Sequence, residues 1–148
     1  MLNFLNNLLV YPTIAAITTL EKEHLDTYKD LDDIKTAFIQ FANKVTFYGF
    51  VVLCLDEPAL QDIIPEINKK VITYGVSPQA DIRATDIQFD KNKSSYMVNY
   101  KGVELGRISL NLPGLHYVKN SLVAVTIATE MGVDFEVIQK ALHSFTGV

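Results

Sequence analysis

The amino-acid sequence predicts an α/β fold with three layers, in which helices flank a mostly parallel sheet, plus a small three-stranded antiparallel sheet. Two features of the hydrophobic pattern predict this fold. In the first half, short runs that are apolar on both faces alternate with helical segments, as in parallel sheets with crossover helices. After Ser77 and Pro78, apolar and polar residues alternate, which is typical of antiparallel strands with one solvated face.

Three short apolar runs in the first half are predicted to be buried strands: residues 13–20, 50–55 and 71–74. Between the first two, an apolar stripe over residues 31–43 predicts a helix, for which Asp30 is a suitable N-cap. We expect Asp56 to cap a second, shorter helix that runs from Pro58 to about residue 64.

The alternating pattern in the second half predicts three strands, over residues 81–89, 95–100 and 103–110. Two helices are expected to follow, one over about residues 116–131 and one from an Asp134 cap to about Ser144. The predicted organisation is therefore a βαβ part in residues 1–76, the antiparallel sheet in residues 77–112, and the C-terminal helices in residues 113–148.

The composition is that of a core-forming chain, since 49% of the 148 residues are apolar and 20% are charged. The net charge of -4, without long blocks of like charge, argues against an electrostatic nucleic-acid partner. The apolar stretches are shorter than the about 20 residues that cross a bilayer, so we expect no membrane partner. The one cysteine, Cys54, excludes an internal disulfide and is predicted to be a buried thiol in a reducing compartment.

Several segments, taken in order, resemble the Mur ligases. They are residues 18–28 (TTLEKEHLDTY), 47–49 (FYG), 73–75 (TYG), 80–84 (ADIRA), 110–120 (LNLPGLHYVKN) and 144–148 (SFTGV). Their order and spacing match over nearly the whole chain, which makes the resemblance far more specific than a single motif. Within the family, they are most similar to the ligases that join L-alanine to UDP-N-acetylmuramate in peptidoglycan synthesis.

The resemblance implies that the chain is the later part of the family's central, ATP-binding domain. The UDP-binding domain, the phosphate loop and the C-terminal ligase domain are absent, and no G-x-x-x-x-G-K-[ST] motif occurs. The resemblance implies ATP and Mg²⁺ as cofactors of the intact enzyme, a cytoplasmic location, and roles in cell-wall biogenesis, cell shape and cell division. We expect the isolated chain to be inactive, and to form a homodimer through surface that the missing parts would cover, with residues 2–10 as a packing element.

Two other functions stay open at this point. The chain is alternatively a non-catalytic remnant or interaction module that keeps the fold, or part of a related ligase for a different amino acid or peptide. The sequence upstream decides between a catalytic and a non-catalytic protein, because that is where the family carries its phosphate loop.

The resemblance implies a metal-binding role for His24, which stands where the family has a metal-binding histidine. Without the resemblance, His24 reads as a surface histidine near the start of a helix. Glu21, Glu23 and Asp26 lie beside it in the sequence. They either position a metal ion or water, or form a solvated acidic loop, and no residue is assigned a catalytic role.

The resemblance also places Asn120, His116 and Tyr117 on the adenine side of a nucleotide site. A carboxamide offers both a donor and an acceptor to a base edge, although Asn120 also reads as an ordinary polar residue early in a helix. Tyr117 and Thr19 depart from the family, which has asparagine at both positions. We expect Tyr117 to stack on the base and to weaken its recognition, because a phenol cannot replace the paired groups of a carboxamide.

Overall fold

The computed structural model describes residues 11–20 and 30–147, and the α/β fold is confirmed. Within those ranges the strands are β1 (Ile14–Ile17), β2 (Phe50–Cys54), β3 (Val71–Gly75), β4 (Ile82–Asp90), β5 (Lys93–Tyr100) and β6 (Val103–Leu110). The α-helices there are α1 (Leu31–Asn43), α2 (Pro58–Ile63), α3 (Leu115–Glu130) and α4 (Phe135–Ser144), and a 3₁₀ turn covers Ile64–Glu66. The strands hydrogen-bond in the order β1-β2-β3-β4-β5-β6, in one mixed sheet.

The chain divides into two compact units, one up to Ile72 and the other from Thr73. In the first unit β1 and β2 run parallel, with Ile14 opposite Phe50. Every residue of β2 is buried, and Cys54 at its end is a buried thiol, as predicted. Burial on both faces explains why the β2 sequence is an unbroken apolar run without alternation.

The two helices in the described part of the first unit, α1 and α2, have N-cap residues that can be identified. The Asp30 side chain accepts a hydrogen bond from the backbone N–H of Asp33 at 3.0 Å, so the predicted cap of α1 is confirmed. The predicted Asp56 cap of α2 is wrong, because Glu57 is the N-cap and makes no side-chain cap bond. Pro58 opens α2 with a fixed φ and no N–H to satisfy, which sets the start of this helix.

In the second unit β4, β5 and β6 form an antiparallel meander, as the alternating pattern predicts. A register shift interrupts β4 between Thr85 and Gln88, and Asp86 within it has a φ of +45°. The Arg107 guanidinium on β6 forms an ion pair with the Asp86 carboxylate across this irregularity. Hydrogen bonds from Gln88 and then Arg107 lower the pKa of the Asp86 carboxyl.

The antiparallel strands are not a separate sheet, because β4 also pairs with β3 in parallel. This pairing involves only Tyr74 opposite Ile82 and Gly75 opposite Arg83. A crossover between parallel strands usually needs a dozen or more residues. Here β4 begins beside the last two residues of β3, so the chain returns along only those two residues and a short loop is enough. Asp81 braces that loop, since its carboxylate accepts hydrogen bonds from the backbone N–H and the hydroxyl of Thr73, both at 2.9 Å.

The core of the second unit lies between one face of this sheet and helices α3 and α4. Its fully buried members include Ile82, Tyr96, Val98, Ile108, Val118, Leu122 and Val125. Gly106 on β6 has a φ of +145°, and a β-carbon there would lie 2.7 Å from the Phe135 ring of α4. This glycine therefore lets α4 approach the edge strand closely, where Gln139 Nε2 donates to the Arg107 carbonyl at 2.8 Å. No helix in the described ranges combines the length and apolar character needed to cross a bilayer.

Candidate functional site

A cleft of about 500 Å³ opens beside the first half of α3 in the second unit. Three elements contribute to it: the end of β6 with the residues after it, one face of α3, and the end of α4 with the residues that follow. Its lining consists of Leu110, Leu112, Tyr117, Asn120, Ser121, Ala124, Leu142, Phe145 and Gly147. The lining is mainly apolar, with a few polar groups from α3, which is the usual character of a small-molecule site.

The α3 face that lines the cleft follows from helical spacing. Gly114 is the N-cap of α3 with a φ of +110°, a conformation that favours glycine. From there Tyr117, Asn120, Ser121 and Ala124 recur at intervals of three and four residues, so they share one helix face. Tyr117 keeps 40% of its surface exposed, which leaves its ring accessible to a ligand.

A buried hydrogen-bond chain fixes this part of α3 on the sheet. The Ser121 hydroxyl donates to the Val118 carbonyl at 2.8 Å, and the Tyr96 hydroxyl of β5 lies 2.6 Å from Ser121 Oγ. Because the Ser121 proton is already used, Tyr96 is the donor in the second bond. Burial raises the pKa of Tyr96, so its phenol stays protonated and keeps donating.

The opposite walls of the cleft are held by side-chain bonds to the backbone. The buried Ser94 hydroxyl donates to the Leu112 carbonyl at 2.5 Å, and Asn111 Nδ2 donates to the His143 carbonyl at 2.6 Å. The second bond satisfies a carbonyl in the last turn of α4, next to Leu142 in the lining. The apolar walls are therefore attached to the same sheet that carries α3.

The three residues predicted for the adenine side lie together at the start of α3. Asn120 Nδ2 is 2.9 Å from His116 Nε2, and the His116 and Tyr117 rings meet edge to face with centroids 5.9 Å apart. Tyr117 and Asn120 line the cleft, whereas His116 is exposed and is not part of the lining.

The residues predicted for the metal side, His24, Glu21, Glu23 and Asp26, lie outside the described residues. Across residues 11–20 and 30–147, no group of three or more His, Cys, Asp or Glu side chains is arranged to hold a metal ion. Thr19 is described and exposed, at the end of the segment that follows β1.

Sequence reasoning did not find the apolar walls of the cleft or the role of Ser121. The helical period from Tyr117 would have indicated Ser121 and Ala124, because residues three, four and seven positions apart share a face. No sequence pattern joins Leu112 to Phe145, which come from separate elements and meet only through the packing of α3 and α4.

Comparison with known proteins places these features in a family. The sequence profile of the Mur ligase middle domain matches residues 2–128. The UDP-N-acetylmuramate--L-alanine ligase of Desulfatibacillum aliphaticivorans is 50% identical over 137 residues, which are 93% of this chain and 30% of that protein. That of Geotalea uraniireducens is 47% identical over 137 residues, again 93% of this chain and 30% of the relative.

The fold is also that of a solved structure of the family. The UDP-N-acetylmuramate-alanine ligase of Thermotoga maritima has a TM-score of 0.79 at 22% identity, over 93% of this chain and 30% of that chain. The chain spans about 30% of the length of the curated relatives it matches. Because the middle-domain profile covers most of the sequence, the chain belongs to the Mur ligase family.

Proposed function

We propose that the cleft beside α3 binds the base of ATP, and that the chain is the nucleotide-binding part of a ligase that joins L-alanine to UDP-N-acetylmuramate. The observation that carries the proposal is the cleft itself, which presents Tyr117 and Asn120 from one helix face within apolar walls. The names of the two curated relatives described above support the choice of substrates. A MurF ligase of the same fold, with a TM-score of 0.72 at 14% identity, has been solved in complex with ADP.

The chemistry of the lining suits a purine base. A volume of about 500 Å³ is within the range of small-molecule sites, and a planar base is well matched to the Leu112 and Phe145 side chains. The Tyr117 ring can stack on such a base, and the Asn120 carboxamide can pair with its edge. This chain's residues would thus bind and orient the nucleotide, and the reaction itself would occur beyond the cleft.

In the proposed ligase, ATP supplies the phosphoryl group that activates a carboxylate, and Mg²⁺ neutralises the charge of the phosphates. His24 remains the proposed metal ligand, on the resemblance alone. The sequence has no phosphate-binding loop motif, so we expect the purified 148-residue chain to hydrolyse no ATP above a His24→Ala control. The reducing environment expected for the buried Cys54 thiol supports the cytoplasm as the proposed location.

The nucleotide proposal is tested by titrating ADP into the isotope-labelled chain and following backbone amide signals by NMR. We expect the signals of Tyr117, Asn120 and Ser121 to move. Ala124→Leu fills the cleft and should abolish the response, whereas Ala141→Leu, an equivalent change on the exposed surface of α4, should preserve it. Equal responses in the two variants would refute binding in this cleft.

Self-association is a separate proposal. The adjacent Phe47 and Tyr48 rings are 92% and 66% exposed, and they stack edge to face with centroids 5.1 Å apart. Exposed aromatic pairs of this kind favour burial against another molecule, and a second copy of this chain is the proposed occupant. Sedimentation of a single monomeric species at low micromolar concentration would contradict it.

A further inference from the structure

We propose that the Arg83 guanidinium and the Asn99 side-chain amide form a binding site for a small oxyanion, a carboxylate or a phosphate. The site lies on the face of the antiparallel strands opposite to the core. Arg83 belongs to the segment 80–84 that resembles the Mur ligases, and the proposed nucleotide site gives this residue no role. The inference does not depend on that proposed function.

The side chain of Arg83 leaves the sheet on the face that α3 and α4 do not cover. Its neighbours on β4, Ile82 and Ala84, are buried in the core of the second unit, and side chains alternate between the two faces of a strand. Arg83 pairs with Gly75 of β3 on one side and with Asn99 of β5 on the other. Gly75 has no side chain, so Asn99 is the side chain directly across from Arg83, with β-carbons about 4.5–5.5 Å apart.

The positive charge of Arg83 has no partner within the described part of the chain. The Arg83 Nε atom is buried there and makes no hydrogen bond. Nη1 and Nη2 are likewise without a bond to any described residue, but they are not among the buried unpaired atoms, so a ligand can reach them. Because a guanidinium is not deprotonated in proteins, the charge cannot be avoided by losing a proton. The enclosed Nε and the open outer edge present two N–H groups to a ligand with two oxygen atoms.

The other arginine of the chain, Arg107, lies on the same face and has the partners that Arg83 lacks. Its guanidinium forms an ion pair with the Asp86 carboxylate, and it donates to the Ser95 hydroxyl at 3.2 Å. The sheet therefore carries one arginine that is neutralised by the protein and one whose charge is left for a ligand.

The acidic side chains near Arg83 do not neutralise it. The Asp81 carboxylate accepts two hydrogen bonds from Thr73 and forms no ion pair with Arg83. Glu104 of β6 is paired with Asn99 and is thus two strands away from Arg83, or about 9–10 Å across the sheet.

Asn99 supplies a second donor beside the guanidinium. Its Oδ1 accepts a hydrogen bond from the Gly102 backbone N–H at 2.8 Å, and only the oxygen end of the carboxamide can make that bond. The NH₂ end is therefore directed away from the turn, and it has no acceptor among the described residues. A guanidinium and an amide NH₂ on adjacent strands, both without acceptors, are a donor-only surface that matches an oxyanion.

The experiment is an NMR titration of the isotope-labelled chain with sodium acetate and with sodium phosphate at constant ionic strength. The chain has two arginines, so it gives two side-chain Nε–Hε signals, and Arg83→Lys identifies them by removing one. We expect the Arg83 signal to move and to saturate, with a dissociation constant of about 1–10 mM, while the Arg107 signal stays in place. The probe that binds more tightly identifies the ligand as a carboxylate or a phosphate.

Two variants separate the site from a general effect of charge. Asn99→Asp keeps an oxygen for the Gly102 N–H and places a carboxylate beside Arg83, so it should weaken oxyanion binding by about ten-fold or more. Arg107→Lys is the matched control on the same face and should leave the affinity unchanged. An Arg83 signal that does not move, or that drifts together with the Arg107 signal without saturation, would overturn the inference. Undiminished binding in Asn99→Asp would overturn it as well.

Discussion

The hydrogen bond between Tyr96 and Ser121 predicts that Tyr96→Phe destabilises the native protein but stabilises the Ser121→Ala variant. Tyr96 is fully buried, and its hydroxyl donates to Ser121 Oγ at 2.6 Å, while Ser121 donates to the Val118 carbonyl. Tyr96→Phe removes the donor and leaves no unpaired proton, because Ser121 keeps its bond to Val118. We expect this variant to lose about 1 kcal/mol of unfolding free energy, the net value of one hydrogen bond.

Ser121→Ala breaks the same bond from the other side, and it leaves the Tyr96 hydroxyl buried without an acceptor. The desolvation of an unpaired hydroxyl costs about 1–3 kcal/mol, which the better helix propensity of alanine offsets by about 0.5 kcal/mol. In this background Tyr96→Phe removes the orphaned group, so it should stabilise the protein by about 1 kcal/mol. The double-mutant cycle therefore predicts a coupling free energy of about 2 kcal/mol between the two positions.

Urea denaturation of the native chain, the two single variants and the double variant, followed by circular dichroism, measures all four unfolding free energies. The decisive quantity is the effect of Tyr96→Phe in the Ser121→Ala background. If the substitution destabilises there as it does in the native chain, the hydroxyl has found another partner, such as water entering from the cleft that Ser121 lines, and the reasoning is refuted.

Three further predictions concern the rest of the second unit. Gly106→Ala should lose about 1–3 kcal/mol more unfolding free energy, measured in urea, than Gly102→Ala. Both glycines have a positive φ, but only at Gly106 would the added β-carbon press against the Phe135 ring. The hydrogen bond to Glu130 raises the pKa of Tyr100 to about 12. The stability that this bond contributes is therefore complete below about pH 10 and is lost as the pH rises from about 10 to 12. An alkaline unfolding series should show this loss in the native chain and not in Tyr100→Phe. Tyr117→Ala should weaken adenosine binding by about 1–3 kcal/mol in the NMR titration, while Tyr117→Phe should bind nearly as well as the native chain. Equal weakening in both variants would mean that the hydroxyl, and not the ring, makes the contact.

Local patterns in the sequence predicted most of the individual elements. The α1 boundaries and its Asp30 cap follow from an apolar stripe and a side chain that reaches the free N–H groups of a first turn. The three antiparallel strands follow from alternation with period two, and the unbroken apolar run of β2 from burial on both faces. These features depend on residues that are close to one another in the sequence, so local sequence patterns predict them.

The family resemblance predicted more than local patterns do, because it indicated His116, Tyr117 and Asn120 as residues of one site. Helical spacing then explains why Tyr117 and Asn120 share one face and why His116 reaches Asn120 one turn later. The sequence by itself thus determined the fold class, the family and one side of the candidate site.

The rest of the site was decided by tertiary structure. The walls formed by Leu112 and Phe145 come from segments more than thirty residues apart, and packing of α3 and α4 against the sheet brings them together. β4 pairs with β3 across a short loop that is spanned by the hydrogen bonds between Thr73 and Asp81. The Ser121 hydroxyl on α3 accepts a hydrogen bond from Tyr96 on β5, a partner 25 residues away in the sequence. Contacts of this kind arise because buried polar groups must find partners wherever the chain places them, and the partner's distance along the sequence is not fixed by any local pattern.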